Sequence, residues 1–228
     1  MTINHIQSQV NLITTELSTY SPPPQLLVST KYASTEETQT IINNGIHLIG
    51  ENKVQDALVK KEQLTPTQNN IQWHMIGHLQ RNKINKAIDL FDVIQSLDSL
   101  PLLEKLNMAL AQKKKTIAGY LQVNIGDDPN KFGFSDNDIL TNHPTLCGFQ
   151  NITIKGIMIV TPLNSIPVER RALFKKAYRL FEVVRNSHPE IKTLSMGMSN
   201  DYKMAIEEGS TMVRLGKIIF KRHRLKEH

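Results

Sequence analysis

Short apolar runs that alternate with longer helical stretches predict an α/β fold, a single (β/α)8 barrel of the TIM type. Eight runs rich in β-branched and other apolar residues recur along the 228-residue chain. Strict strand-then-helix alternation builds a parallel sheet, and eight such units close into a barrel of roughly 200 to 400 residues. A doubly wound open sheet is the alternative, but no Gly-x-Gly-x-x-Gly follows any of the runs.

The predicted elements begin with an additional helix at the start of the chain, Ile3–Thr19, which Pro22–Pro24 separates from the first strand as a stiff connector. The predicted strands are Leu26–Thr30, Ile46–Ile49, Trp73–Ile76, Val93–Ser96, Ile117–Asn124, Ile154–Val160, Thr193–Met196 and Met212–Leu215. Helical periodicity marks, among others, Thr35–Asn44, Asn52–Leu64, Leu100–Lys114, Val168–Ser187 and Asp201–Glu208. Gly45 and Gly209 stand where a helix ends before a strand, a position that favours left-handed backbone.

We expect one domain over residues 1–228. The opening helix lies within residues 1–20, the barrel core covers residues 26–216, and a basic helix or tail follows over residues 217–228. Thr65–Asn70 and Gly126–Pro129 have the composition of loops and are too short to link domains.

Charge and composition exclude several classes of protein. The formal net charge of +6 and the pI of about 9.3 invite a nucleic-acid interpretation. The basic residues are spread along the chain except at Lys113–Lys115 and Lys221–Arg224, however, and such runs are usually solvated helix faces. We therefore expect no nucleic-acid partner. No secretory signal or membrane-length apolar run is present, and Cys147 is the single cysteine, so we expect a cytoplasmic protein without disulfides.

Polar residues and glycines follow the predicted strands, where a barrel carries its chemistry. Lys31 comes directly after the first strand, and partial desolvation there would favour a free amine able to form a Schiff base. The alternative is a lysine that only caps the strand and reaches into solvent. Ser199 precedes a helix predicted to begin at Asp201, and free N–H groups at such a helix start bind anions. The alternative there is a plain helix cap by Ser199 or Asn200, which is compatible with anion binding. Gly216 adds room for close backbone approach.

Two other patterns are weaker evidence for a functional site. His74 and His78 have the spacing of a zinc pair, but they straddle a strand end and no third ligand accompanies them, so we expect no metal. Gly216-Lys217 lacks the glycine spacing and the hydroxyl residue of a phosphate-binding P-loop.

Several strings taken in order resemble the pyridoxal-phosphate homeostasis protein family (YggS-type proteins). They are LLVST followed by Lys31, GENKVQ (50–55), WHMIGHLQRNK (73–83), QSLDS (95–99), LQVN (121–124), LSMGMSND (194–201), GSTMVRLG (209–216) and IF (219–220). The resemblance spans nearly the whole chain and implies a barrel of the alanine racemase N-terminal domain type, without the second domain of that enzyme.

The resemblance also implies a cofactor, pyridoxal 5′-phosphate (PLP), and residues that hold it. Lys31 would carry PLP as an internal aldimine, that is, a Schiff base. Ser199 and backbone amides near Gly216 and Lys217 would bind the phosphate, and Arg214 would face the pyridine nitrogen. The remaining residues implied to line the pocket are Asn52, His78, Ser96 and Met196.

Two positions depart from the family pattern. The family commonly has Lys-x-Lys-Pro at the first strand, whereas here Lys31 is followed by Tyr32, Ala33 and Ser34, so the second lysine is missing. After VRLG the family has a small hydroxyl residue, whereas this chain has Lys217. A backbone contact to phosphate survives that change, and the ammonium either adds attraction or obstructs the pocket mouth.

The implied contacts favour PLP binding over robust catalysis. PLP chemistry relies on a protonated ring nitrogen as an electron sink, and an arginine cannot accept a hydrogen bond from it. Racemisation benefits from two opposed bases, and we expect no C-terminal domain that would bring a second one. Our leading hypothesis is a monomeric cytoplasmic protein of PLP homeostasis that carries or buffers PLP, exchanges it with PLP-dependent apoenzymes and so affects amino-acid metabolism. The alternatives are a low-activity PLP-dependent amino-acid racemase and a nucleic-acid-binding barrel.

Overall fold

Eight parallel strands close into a barrel in chain order in the computed structural model, which describes residues 2–65, 70–162 and 165–220. The strands are β1 (Gln25–Ser29), β2 (Leu48–Glu51), β3 (Gln72–Met75), β4 (Val93–Leu97), β5 (Ile117–Val123), β6 (Ile152–Ile159), β7 (Thr193–Ser195) and β8 (Met212–Leu215). Each strand pairs with the next, and β8 pairs with β1, so the barrel predicted from the sequence is confirmed.

Helices surround this barrel and connect its strands. Those of the described residues are α1 (Thr2–Leu17), α2 (Thr35–Asn43), α3 (Val54–Gln63), α4 (Ile84–Leu90), α5 (Leu100–Lys113), α6 (Asp136–Cys147), α7 (Pro167–Ser187), α8 (Tyr202–Glu207) and α9 (Lys217–Phe220), with a 3-10 turn at Arg81–Lys83. The additional N-terminal helix is confirmed as α1. Helices α4 and α6 are not among the segments named from helical periodicity. In α6 that periodicity is weak, because Pro144 lies inside the helix and its buried residues are few.

The predicted ends of the strands and helices lie within a few residues of the observed ends. The predicted loop at Gly126–Pro129 contains no helix or strand. Residues 66–69 of the other predicted loop, and residues 221–228 of the predicted tail, lie outside the described residues. The single-domain boundaries drawn from the sequence stay a prediction.

Two groups of buried side chains hold the elements together. The smaller joins Leu27, Val93, Tyr120, Met158 and Met212, which come from β1, β4, β5, β6 and β8. Side chains of strands that lie so far apart around a closed sheet can meet only inside the barrel. The larger group packs the helices onto the outer faces of the strands, and burying this apolar surface supplies the main driving force for folding.

The loop after β3 crosses directly over the loop after β2, at a distance that only glycine allows. A Cβ built on Gly77 would lie 2.3 Å from the carbonyl oxygen of Asn52 and 2.8 Å from its Cα. Both are backbone atoms and cannot rotate out of the way. The absence of a side chain at Gly77 therefore fixes how closely these two loops approach at the mouth of the barrel.

We expect Gly77→Ala to lower the free energy of unfolding by about 1–3 kcal/mol, because one of the two loops must shift to admit the methyl group. Urea denaturation measures this as a lower midpoint at constant slope. Asn82→Ala, an exposed change on the same segment, serves as the control and should stay within about 0.5 kcal/mol of wild type. Equal midpoints for Gly77→Ala and wild type would contradict the close approach.

Candidate functional site

A cleft of about 390 Å³ opens beside the carboxyl ends of β1, β7 and β8. Its volume falls within the range of about 300–1,000 Å³ that is common for small-molecule sites. Five of the predicted residues line it together: Lys31, Ser199, Arg214, Gly216 and Lys217. The barrel thus brings together residues that the sequence separates by more than 160 positions.

A larger groove of about 1350 Å³ lies between α1 and α8. Of the predicted site residues, it borders Ser199 and none of the others. Its α1 side is lined mainly by uncharged polar side chains such as Asn4, Gln7 and Asn11. The smaller cleft holds the reactive groups, and we take it as the candidate site.

Lys31 lies in the turn that follows β1 and its side chain is exposed. The Nζ atom lies 4.9 Å from the centroid of the Tyr32 ring, which is itself 77% exposed. The expected partial desolvation of Lys31 is therefore wrong, because the turn carries the side chain out of the strand layer. No carboxylate of the described residues forms an ion pair with this amine, so it is open to an aldehyde.

Arg214 is buried at the base of the cleft, where β8 meets β7. One Nη atom donates to the Ser195 carbonyl at 2.7 Å and to the Ser195 hydroxyl at 2.8 Å, and the other donates to the Ile159 carbonyl at 2.7 Å. Burial lowers the pKa of Arg214 to about 10, so the guanidinium still carries its charge at neutral pH. Its remaining N–H groups are left for a ligand, because an arginine has five donors and no acceptor.

A chain of buried polar side chains extends from Arg214 across the barrel interior. The Ser195 hydroxyl donates to Gln95 Oε1 at 2.8 Å, and Gln95 Nε2 lies 2.9 Å from Nδ1 of His74. Gln95 Nε2 is a donor, so His74 Nδ1 accepts and the ring carries its proton on Nε2. Burial lowers the pKa of His74 to about 4, which keeps the ring neutral.

Gln95 and Ser195 were not predicted to belong to the site, although both lie inside strings that carried the resemblance. The available signal was a glutamine and serine within otherwise apolar strand segments, VIQSL and TLS. Polar side chains in a buried strand require hydrogen-bond partners. Ser195 and Gln95 bond to each other, and Ser195 also accepts from Arg214.

Ser199 joins the loop after β7 to the start of α9. Its Oγ accepts a hydrogen bond from the Ile218 N–H at 3.2 Å, which leaves its own hydroxyl hydrogen available for a ligand. The alternative that Ser199 caps the helix near Asp201 is wrong. That helix, α8, begins at Tyr202, and the Asp201 carboxylate accepts from the Met198 N–H at 2.6 Å.

Gly216 and Lys217 border the same cleft as Ser199, and the three residues together form what we call the Ser199–Lys217 corner. A Cβ at Gly216 would lie 2.7 Å from the Ser29 carbonyl oxygen, so a larger residue would press β8 away from β1. Lys217 is exposed and borders the cleft.

Arg170, which was not predicted from the sequence, also lines the cleft, with Nε 3.6 Å from an Asp201 carboxylate oxygen. With Lys31 and Arg214, the lining has four cationic side chains and one carboxylate, a balance that favours an anion.

The other four predicted residues do not line the cleft. His78 Nδ1 lies 2.6 Å from Asp98 Oδ2, and the His78 ring stacks on Phe132 with centroids 3.7 Å apart. The others are the fully buried Ser96 and Met196 and the half-buried Asn52 beneath Gly77. Their roles at a ligand stay predictions.

Among the described residues, no group of three or more His, Cys, Asp or Glu side chains could hold a metal ion. No helix within that part of the chain is long and apolar enough to cross a bilayer.

The barrel and the cleft together define a class of protein. The sequence profile of the family described as "Alanine racemase, N-terminal domain" matches residues 29–223, so the chain belongs to that family. Crystal structures of larger barrel enzymes share the fold alone. Alanine racemase from Corynebacterium glutamicum, for example, is 12% identical with a TM-score of 0.77, and the match covers 99% of this chain and 63% of that one.

Within this class, the more similar relatives are pyridoxal phosphate homeostasis proteins, and the chain is a member of that group. The protein of that name from Synechocystis sp. is 35% identical over 90% of this chain and 94% of its own length. The one from Pasteurella multocida is 32% identical over 86% and 85%. PipY from Synechococcus elongatus, solved with PLP bound, is 30% identical with a TM-score of 0.83, covering 94% of this chain and 99% of PipY.

Because the folded-state pKa of His74 is depressed from 6.5 to about 4, the unfolded chain binds a proton more readily than the folded one. We expect stability to be fully present above about pH 6.5 and to fall by about 3 kcal/mol from this residue as the pH drops to 4. Denaturation of wild type and His74→Gln between pH 7 and 4 measures the difference, since the glutamine does not titrate. Parallel stability curves for the two proteins would contradict the burial of a neutral His74.

Proposed function

We propose that this chain binds PLP in the cleft and serves intracellular PLP homeostasis, holding and releasing the cofactor without robust catalysis of its own. The observation that carries the proposal is the set of groups in one cleft: the unpaired amine of Lys31, the buried Arg214 guanidinium and the Ser199–Lys217 corner. PipY, 30% identical over nearly the whole chain, has been solved with PLP bound, which supports the same ligand here.

The groups in the cleft suit the aldehyde, the phosphate and the ring nitrogen of PLP. When bound, PLP supplies an aldehyde that reacts with primary amines, and Lys31 is the amine that would hold it covalently. Ser199 would donate its hydroxyl hydrogen to the phosphate, with backbone amides near Gly216 and Lys217 beside it. The ammonium group of Lys217 would add positive charge beside the phosphate.

Arg214 supports binding over catalysis. Its hydrogen bonds to Ser195 and Ile159 hold the guanidinium rigidly, and its pKa of about 10 keeps it a donor at neutral pH. If Arg214 donates to the pyridine nitrogen of PLP, that nitrogen would stay unprotonated, which would withhold the electron sink that most PLP chemistry requires.

The exposure of Lys31 supports exchange of the cofactor with the surroundings. An amine at an open rim can be reached by water and by competing amines, both of which release a carbonyl compound from lysine. We further propose that residues 1–228 act as one PLP-binding domain, as a cytoplasmic monomer that supplies PLP-dependent apoenzymes.

We expect wild type reconstituted with PLP to be yellow and Lys31→Ala to lose the visible absorbance of lysine-bound PLP, because Lys31 is the amine proposed to hold the aldehyde. Lys105→Ala, an exposed lysine on α5, is the control and should keep the full absorbance. A wild-type protein that cannot be reconstituted would refute the proposal. Racemisation of an amino acid above the rate of free PLP, abolished in Lys31→Ala, would instead establish the racemase alternative.

We expect Ser199→Ala and Arg214→Gln to weaken PLP retention, by about fivefold for the lost hydroxyl and about tenfold or more for the lost charged donor. Equilibrium dialysis of PLP against each variant gives the dissociation constants. Ser135→Ala removes a serine that caps α6 far from the cleft and is the matched control, with lower stability but unchanged affinity. Unchanged affinity in both site variants would show that the phosphate and ring contacts are misplaced.

A further inference from the structure

A buried ion pair lies directly behind the turn that carries Lys31. Glu51, the last residue of β2, is completely buried, and Lys60 of α3 is 7% exposed. The Lys60 ammonium lies 2.5 Å from Glu51 Oε1. Neither residue lines the cleft, so the pair does not contact the proposed ligand.

The pair is bonded to the backbone next to Lys31. Lys60 Nζ donates to the Thr30 carbonyl at 2.5 Å, and the Thr30 hydroxyl donates to Glu51 Oε1 at 2.5 Å. The same Thr30 carbonyl accepts the Ala33 N–H at 2.9 Å, which closes the turn containing Lys31. One ammonium and one carboxylate thus fix the residue that immediately precedes the reactive lysine.

General stability does not explain this arrangement well. Desolvating two charges cancels most of their attraction, so a buried ion pair adds little net stability compared with apolar residues of the same size. The Glu51 carboxylate also has one oxygen, Oε2, that is buried without a hydrogen-bond partner among the described residues. What the pair does provide is direction, because charged hydrogen bonds hold the Thr30 carbonyl in one position.

We infer that Lys60 and Glu51 are positioning residues, which hold the Thr30–Ala33 turn so that the Lys31 amine is presented to the aldehyde of a ligand in the cleft. This inference rests on the proposed function. It predicts a selective defect. Variants of the pair should lose covalent capture of PLP, while Arg214 and the Ser199–Lys217 corner continue to bind the ring and the phosphate.

The test compares PLP with pyridoxine 5′-phosphate, which keeps the phosphate and the ring but has no aldehyde. Lys60→Met and the charge-free double variant Glu51→Gln/Lys60→Met are measured by equilibrium dialysis, the double variant guarding against misfolding around an unpaired Glu51. We expect PLP affinity to fall by about tenfold or more in both, with pyridoxine 5′-phosphate within about twofold of wild type.

Lys61→Met is the matched control. Lys61 lies on the same helix and donates to another backbone carbonyl, that of Leu90, at 2.5 Å, but on a part of the barrel away from the cleft. It should lose stability and keep both affinities. In ligand-free protein, amide hydrogen exchange at Ala33 should accelerate in Lys60→Met and remain at the wild-type rate in Lys61→Met.

The outcomes separate the two proposals. If wild type binds PLP and the Lys60 variants bind it within about twofold, or lose both ligands equally, the positioning role is wrong and the proposed function stands. If wild type binds neither ligand, the proposed function is wrong and presentation to PLP falls with it. If the amide hydrogen exchange rate of Ala33 is unchanged in Lys60→Met, then Lys60 does not anchor the turn, whatever the ligand affinities are.

Discussion

Hydrogen bonds between β1 and β8 close the sheet, and they set Leu27 beside Arg214 and Val28 beside Leu215. The pairing brings the turn after β1 next to the loops after β7 and β8, so that Lys31 and Ser199 border one cleft. Gly216 is part of the same constraint, because any side chain there would push against the Ser29 carbonyl. An open sheet of the same strands would leave the turn after β1 and the loop after β8 on opposite edges.

The interior of the barrel then has to accommodate a cation. A buried guanidinium requires acceptors, and Ser195 and Ile159 accept from both Nη atoms of Arg214. Gln95 and His74 extend the hydrogen bonds from Ser195 across the barrel. Because His74 stays neutral, no second charge is buried along this chain of contacts. Arg214 is thereby held in one orientation by the protein before any ligand arrives, which is the preorganisation that a binding site needs.

The fold could be predicted from the sequence because its strands are marked locally by β-branched runs, and because alternation with helices leaves few topologies. The site could be predicted in part. Ordered motifs located Lys31, Ser199 and Arg214, but strand-end reasoning places all loops at one face without saying which side of the mouth each occupies. His78 and Asn52, which only the resemblance implied, lie outside the cleft. Lys60 could not have been found at all, since its role depends on a helix residue reaching a strand end, a contact that no spacing in the sequence encodes.

The pairing of the first strand with the last also bears on the order in which the molecule assembles. Contacts so distant in sequence form late and slowly, because the entropy of closing a long loop opposes them. During synthesis on the ribosome, the turn that carries Lys31 emerges long before β8, which completes the cleft. We therefore expect the cleft to be among the last features to form, because it exists only once β8 has paired with β1.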